Sequence, residues 1–315
     1  MKKKSLLAVP VLTAGAAAAL SGFVYYQVLG RNATLYEKIA DAVTGGGSDE
    51  EKEKFFSDER FVWFRQQQFK EYEMTNDRGQ RLKGYLIEAE TPSETFVLCS
   101  HGYRSTGKGE FKYVAKHYHD KNINVFLVDH QAAGQSEGNM ISFGYYESKD
   151  LVRWTHFLKE TFGENIKIIL HGVSMGCATA TIASASDDLP ENVKFTVADC
   201  GYTSMNDQFN AVLRSYKVPS FPLVPLTGLW SKAFGKFSYS EVSPLECVKK
   251  AKVPMLFIHG ADDDFVPTEM VYKLYDACTT EKDLLVVDGA IHAMSYYVNG
   301  DACNEKIDSF IEKYI

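Results

Sequence analysis

The stretch with the most chemical content is Ile168-Ile169-Leu170-His171-Gly172-Val173-Ser174-Met175-Gly176-Cys177-Ala178-Thr179-Ala180, an apolar run, then Gly-x-Ser-x-Gly, then small residues at helical spacing. A serine on a sharp strand-to-helix turn stands clear of the backbone, and the flanking glycines remove side chains that would collide with neighbouring chain. Gly-x-Ser-x-Gly alone recurs by chance. Here a strand signal precedes it and a helix signal follows, which raises Ser174 above an ordinary turn serine. The N-terminus of that helix would also set positive partial charge beside the attacking oxygen.

A serine hydroxyl is a poor nucleophile without a base, and the base needs an acid to orient it. On an elbow of this kind the three residues run Ser, acid, His along the chain. The eight histidines stand at 101, 117, 119, 130, 156, 171, 259 and 292. If the acid lies after the strand signal ending in His259-Gly260, only His292 remains downstream. It sits in the loop Asp288-Gly289-Ala290-Ile291-His292-Ala293, after the last strand signal. For the acid, Asp262, Asp263 and Asp264 stand in a row, and Asp199, ending the preceding strand signal, is a fourth candidate. Spacing alone does not choose among them. Three consecutive acids also suit a solvated loop or a calcium loop, but no further ligand spacing follows. Acyl transfer develops an oxyanion that two backbone N–H groups must meet. The expected donors are Met175, next after the nucleophile, and Tyr103, in Ser100-His101-Gly102-Tyr103-Arg104. This chemistry calls for no metal and no organic cofactor.

These residues need a rigid frame, and the rest of the chain reads as one. Phe69–Met74 and Arg81–Glu88 flank Asn76-Asp77-Arg78-Gly79, a hairpin-turn composition. Short apolar runs recur at Phe96–Cys99, Val125–Val128, Ile168–Leu170, Phe195–Ala198, Pro254–Ile258 and Leu284–Val287, as strands buried on both faces require. Helix-period segments lie between them; in Glu147–Phe162 the residues Leu151, Trp154, Leu158 and Phe162 recur every three or four positions. That alternation predicts an α/β fold with a mostly parallel sheet and helices on both faces. The interval from Tyr202 to Leu245 breaks the rhythm with Pro219, Pro222 and Pro225 and many aromatics, which predicts a small inserted cap at about 202–245.

The chain has 315 residues, 34 Lys+Arg against 41 Asp+Glu, and a net charge of −7. Residues 1–31 hold Lys2, Lys3, Lys4 and Arg31 and no acid, so that segment is +4 and the remainder carries −11. An acidic body without a basic stripe argues against a nucleic-acid partner. Plentiful apolar residues and six scattered cysteines exclude a disordered chain and a disulfide miniprotein. The cysteines show no metal-ligand spacing and read as small buried hydrophobes, with Cys278 and Cys303 a conceivable pair. From Ser5 to Gly30 the chain carries no charge for 26 residues. That is enough for a helix to cross a bilayer, and lysines before it favour an exported body, so residues 1–30 read as a membrane anchor, single-pass with the body extracytoplasmic. A cleaved signal peptide and a secreted protein is the rival. Residues 31–60 read as a linker with a short helix capped by Ser48 and carrying Phe55 and Phe56, and residues 61–315 as the catalytic domain.

The chain resembles the α/β-hydrolases over about residues 65–315. The resemblance rests on His101-Gly102-Tyr103, on Asp129 with Gly134-Gln135-Ser136-Glu137-Gly138, on Gly172-Val173-Ser174-Met175-Gly176, on Asp263 with Phe265-Val266-Pro267, and on Gly289-Ala290-Ile291-His292-Ala293. It is most similar to bacterial hydrolases grouped near serine aminopeptidases and acyl or cinnamoyl esterases. In that group the acid stands four residues after the histidine of an H-G-x-x-D-x-x-V-P-type stretch, which selects Asp263. One departure is that Asp129 is followed by His130-Gln131-Ala132-Ala133, where many relatives have Arg-Gly.

The resemblance implies a serine hydrolase with Ser174, His292 and Asp263 as the triad and a small-molecule acyl ester or short peptide-like substrate. An alkoxide leaves more easily than an amine, which favours a carboxylic ester. Phe209, Phe221, Trp230 and Phe237 in the cap favour an apolar acyl group. Arg104 is a candidate contact for an anionic substrate group, and Phe265 a second candidate substrate contact. The rivals are an envelope peptidase or amidase with the same triad and an inactive membrane-tethered binding module.

Overall fold

The computed structural model describes residues 8–33 and 57–315. Its first strands follow from one turn. Asn76 Oδ1 accepts the N–H groups of Arg78 and Gln80, and Gly79 takes φ +75°, so the chain reverses between β1 (Lys70–Thr75) and the antiparallel β2 (Arg81–Ile87). Six parallel strands follow: β3 (Thr95–Ser100), β4 (Asn124–Val128), β5 (Lys167–Val173), β6 (Val193–Asp199), β7 (Met255–Gly260) and β8 (Lys282–Val287). The order across the eight-stranded sheet is β1-β2-β4-β3-β5-β6-β7-β8, with only the β1–β2 and β2–β4 pairs antiparallel. The mostly parallel α/β sheet expected from the alternating apolar runs is therefore the observed one.

Successive residues of a strand face opposite sides, and both sides are covered here. Val97, Cys99, Val125, Leu127 and Ile169 enter one core, closed by Ile307 and Phe310 of α11 (Ser295–Tyr314). Phe96, Leu98, Phe126, Ile168 and Leu170 enter the other, against Leu151, Trp154 and Leu158 of α5 (Tyr145–Phe162) and Ala180 and Ala183 of α6 (Met175–Ser184). Between these, α2 (Glu59–Gln66), α3 (Gly107–Glu110) and α4 (Ala115–Asp120) come early in the chain. The helix expected from Ser48, with Phe55 and Phe56, lies outside the described residues.

After β6 come α7 (Met205–Ser215), α8 (Leu223–Trp230), a π-helical turn over Ser231–Gly235 and a 3-10 turn over Tyr239–Glu241, all within the stretch anticipated as a cap. Then α9 (Pro244–Val248) leads into β7, and α10 (Glu269–Ala277) into β8. All six cysteines are free thiols, so Cys278 and Cys303 are not paired.

The N-terminal segment forms α1 (Ala8–Leu29). Among the described residues no helix is both long and apolar enough to cross a membrane. The C-terminal half of α1 instead packs on the body: Ser21 and Leu29 are buried, Trp230 Nε1 donates to Ser21 Oγ at 3.0 Å, and Gly30 bridges to Met140. Uncharged residues that read as membrane-facing thus bury part of their surface against α8.

Candidate active site

The position of Ser174, the candidate nucleophile, is set by two glycines. A Cβ at Gly172 would fall 2.1 Å from Gly176 O, so the strand can enter the elbow only without one. Between them Ser174 takes φ 57°, ψ −115°, an uncommon backbone state for a residue with a side chain, held by its N–H donating to Asp199 O at 2.9 Å. The flanking strands β3 and β6 hold β5 in register on both sides, which fixes where the turn begins.

Three side chains converge there. His292 Nε2 lies 2.8 Å from Ser174 Oγ, and His292 Nδ1 lies 2.7 Å from Asp263 Oδ2. Because a carboxylate only accepts, Nδ1 carries the proton and Nε2 is left to accept from the serine hydroxyl. Of the three consecutive aspartates, Asp262 and Asp264 are exposed, whereas Asp263 is buried beneath the loop. Its Oδ1 accepts the N–H groups of Phe265 and Val266 at 3.0 and 2.8 Å. His259 Nε2 stands 3.3 Å from its Oδ2 and 2.9 Å from Val266 O; both neighbours accept, so Nε2 is protonated. Burial pushes the Asp263 carboxyl up, but hydrogen bonds from His259 and His292 outweigh it and hold the group at about 2. Asp199, the fourth candidate acid, is buried at the end of β6 and makes no hydrogen bond to His292 among those described; burial pushes its carboxyl up to about 7, with His259 opposing.

The candidate oxyanion loop follows β3. A Cβ at Gly102 would stand 3.4 Å from the Ser174 Cβ, so this loop passes directly over Ser174. Tyr103, Ser174 and Met175 line the same cavity, and Met175 is the first residue of α6. The loop is braced by contacts that motif spacing did not reveal. Gly102 N–H donates to Glu110 Oε2 at 3.2 Å, and His101 Nδ1 donates to Gly102 O at 2.7 Å while its Nε2 accepts the His130 N–H at 3.0 Å. Ser100 Oγ stands 2.8 Å from His130 Nε2. The departure from Arg-Gly after Asp129 is therefore filled by a histidine that ties the ends of β3 and β4 together. Its one sequence signal was that departure.

The cavity, of about 170 Å³, opens at Ser174 and is lined almost wholly by apolar groups, among them Phe143, Phe209, Val212, Leu213 and Val224. Phe265 lines it too, its ring 4.9 Å from that of His292. Of the cap aromatics expected to face substrate, Phe209 does so, Phe237 and Trp230 pack elsewhere, and Phe221 is 78% exposed. Arg104 is not among the lining residues. Its guanidinium donates to Gln27 O at 3.0 Å and to Gly30 O at 2.9 Å, at the C-terminal end of α1.

Cys200 brings its Sγ within 4.8 Å of ligand atoms of Asp263 and His292. Asp263 and His292 are already hydrogen-bonded to each other, and burial pushes the Cys200 thiol well above its ordinary range, so the cluster is a poor donor set for a metal.

The model of the prolyl oligopeptidase family matches residues 140–315. The chain is 31% identical over 253 residues to the uncharacterized protein YqkD of Bacillus subtilis, covering 80% of this chain and 82% of that one. Among solved structures it is similar to the Pyrococcus furiosus esterase Pf2001, with a TM-score of 0.64 at 22% identity, covering 79% of this chain and 92% of that one. It is also similar to the esterase domain of a Rhodothermus marinus protein, with a TM-score of 0.57 at 19% identity, covering 78% and 99%.

Proposed function

The chain belongs to the prolyl oligopeptidase family, within the α/β-hydrolase superfamily, and from that premise we propose that it is a serine hydrolase that cleaves carboxylic esters of apolar acyl groups. The observation that carries this reading is the unbroken relay from Asp263 through His292 to Ser174, at 2.7 and 2.8 Å. Ser174 Oγ attacks the acyl carbonyl while His292 Nε2 takes its proton. Asp263 holds the imidazole tautomer and stabilises the imidazolium. Met175 and Tyr103 N–H groups meet the oxyanion. His292 returns the proton to the alkoxide, which leaves as an alcohol; water then attacks the acyl-serine by the same route, releasing the carboxylic acid and regenerating Ser174. The apolar cavity receives the acyl part.

Fluorophosphonate labelling tests the relay: the wild-type protein is expected to label and Ser174→Ala not to. A folded wild type that fails to label would leave an inactive binding module. The family match favours one second reading, a peptidase or amidase. Acyl nitrophenyl esters against aminoacyl anilides separate the two, with faster ester turnover expected here.

We further propose that the catalytic domain is exported and keeps its N-terminal segment at the membrane. Lys2, Lys3 and Lys4 before an uncharged run support that placement. Fractionation of cells and N-terminal sequencing of the mature chain test it; a chain beginning near Leu20 would show cleavage.

A further inference from the structure

We infer that the N-terminal helix is the outer wall of the acyl subsite, and that Tyr103 and Arg104 fasten it to the oxyanion loop. The inference rests on the serine-hydrolase reading above and adds what limits the acyl chain. Val24, Tyr25 and Val28 of α1 line the same cavity as Ser174 and Met175. The opposite face of the helix points away from the body: Phe23 and Tyr26 are each 50% exposed. One helical surface therefore meets whatever hydrocarbon enters beside the nucleophile.

The attachment is specific. The last carbonyls of a helix have no partner within it, and here they are met from the oxyanion loop. Tyr103 Oη donates to Val28 O at 2.6 Å; Arg104 Nη2 donates to Gln27 O and Gly30 O at 3.0 and 2.9 Å; Arg104 Nε reaches Tyr103 Oη at 2.9 Å. A guanidinium suits the negative end of a helix. Arg104 takes φ 57° to do this, in the left-handed region where a side chain is uncommon. The helix end is also held by Ile141 N–H on Leu29 O at 2.7 Å and by Arg31, whose guanidinium donates to Ser136 O and Gly134 O at 2.5 and 2.8 Å. The same short loop that supplies an oxyanion donor thus carries the wall of the acyl pocket.

The ligand class is an apolar acyl chain, its length capped by Val24 and Val28. The test uses the full-length chain and nitrophenyl esters from acetyl to dodecanoyl. In Val24→Trp and Val28→Trp, kcat/KM for the octanoyl ester is expected to fall by about tenfold or more relative to the acetyl ester, since a larger side chain occupies space the acyl chain needs. Phe23→Ser, on the outer face, is expected to leave the acyl profile unchanged. Fluorophosphonate labelling of each variant reports that the catalytic centre is folded. If a tryptophan variant labels like wild type and keeps the wild-type octanoyl-to-acetyl ratio, the wall is elsewhere and the inference falls while the esterase reading stands. If the wild type labels but cleaves none of these esters, the substrate reading itself fails. If Val24→Trp fails to fold, Val24→Ala decides: a shift of the optimum toward longer chains supports the wall, and an unmoved optimum overturns it.

Discussion

Gly176 lies against the carbonyl oxygen of Ser100 so closely that a Cβ at position 176 would stand 1.8 Å from it. The helix that begins just after Ser174 therefore starts in contact with the end of β3, which leads into the Gly102–Tyr103 loop. Neither partner can yield, because both are backbone. Gly176→Ala is expected to destabilise the fold by about 4 kcal/mol or more or to prevent folding outright. Thermal melting with fluorophosphonate labelling checks it; a folded, labelling Gly176→Ala enzyme would contradict the packing described.

Asp263→Asn removes the charge that fixes the His292 tautomer without changing its shape. A loss of about four orders of magnitude in kcat is expected, measured on a short acyl ester. The lowered carboxyl of Asp263 also carries a pH sign. A folded value held at about 2 contributes stability that is present above the ordinary carboxylate range and lost as pH falls through about 2. Acid titration of melting temperature should accordingly be shallower in Asp263→Asn than in wild type below that range.

Asp199 has the opposite sign. Burial raises its carboxyl to about 7, so the folded chain binds a proton that the unfolded chain has already released above the ordinary carboxylate range. Its contribution is complete at acid pH and declines as pH rises toward and through about 7. Asp199→Asn, which resembles the protonated acid, is expected to melt with less loss between mildly acid and mildly alkaline pH than wild type. Parallel melting curves across that interval would refute the assignment.

Arg104→Met removes the cation from the end of α1 and leaves several carbonyls to find water. Hydrogen bonds to a charged group are worth about 1.5–3 kcal/mol each, so faster limited proteolysis of the N-terminal segment is expected, together with a higher KM for octanoyl than for acetyl esters. Gel analysis of timed digests and steady-state kinetics read these two effects.

Much of this was legible from the chain because the signals were local. Buried parallel strands need apolar runs, and each of those runs became a strand; Gly-x-Ser-x-Gly carried its own strand and helix context. The acid was less so, since Asp262, Asp263 and Asp264 differ only in which way the loop turns them, and backbone N–H groups of Phe265 and Val266 decide that. The bracing of the candidate oxyanion loop by His101 and His130, which follow β3 and β4, and by Glu110 of α3 comes from segments that meet only in the fold. Arg104 misled for a similar reason: a cation beside an oxyanion loop suggests an anionic ligand, but its partners are carbonyls seventy-odd residues earlier in the chain. The N-terminal run carries no signal that tells a lipid-facing from a protein-facing role, because an uncharged helix reads alike whichever covers it, and only the fold shows part of it packed on the body.

On the proposed reading, the fastening of α1 by Tyr103 and Arg104 makes the helix and the acyl group two ligands of one site. Thermodynamic reciprocity then applies: by whatever factor a seated helix tightens acyl binding, a seated acyl group must tighten the helix. Substrate would hold its own container shut, and release of the carboxylic acid would be the moment at which the C-terminal part of α1 is most readily undocked.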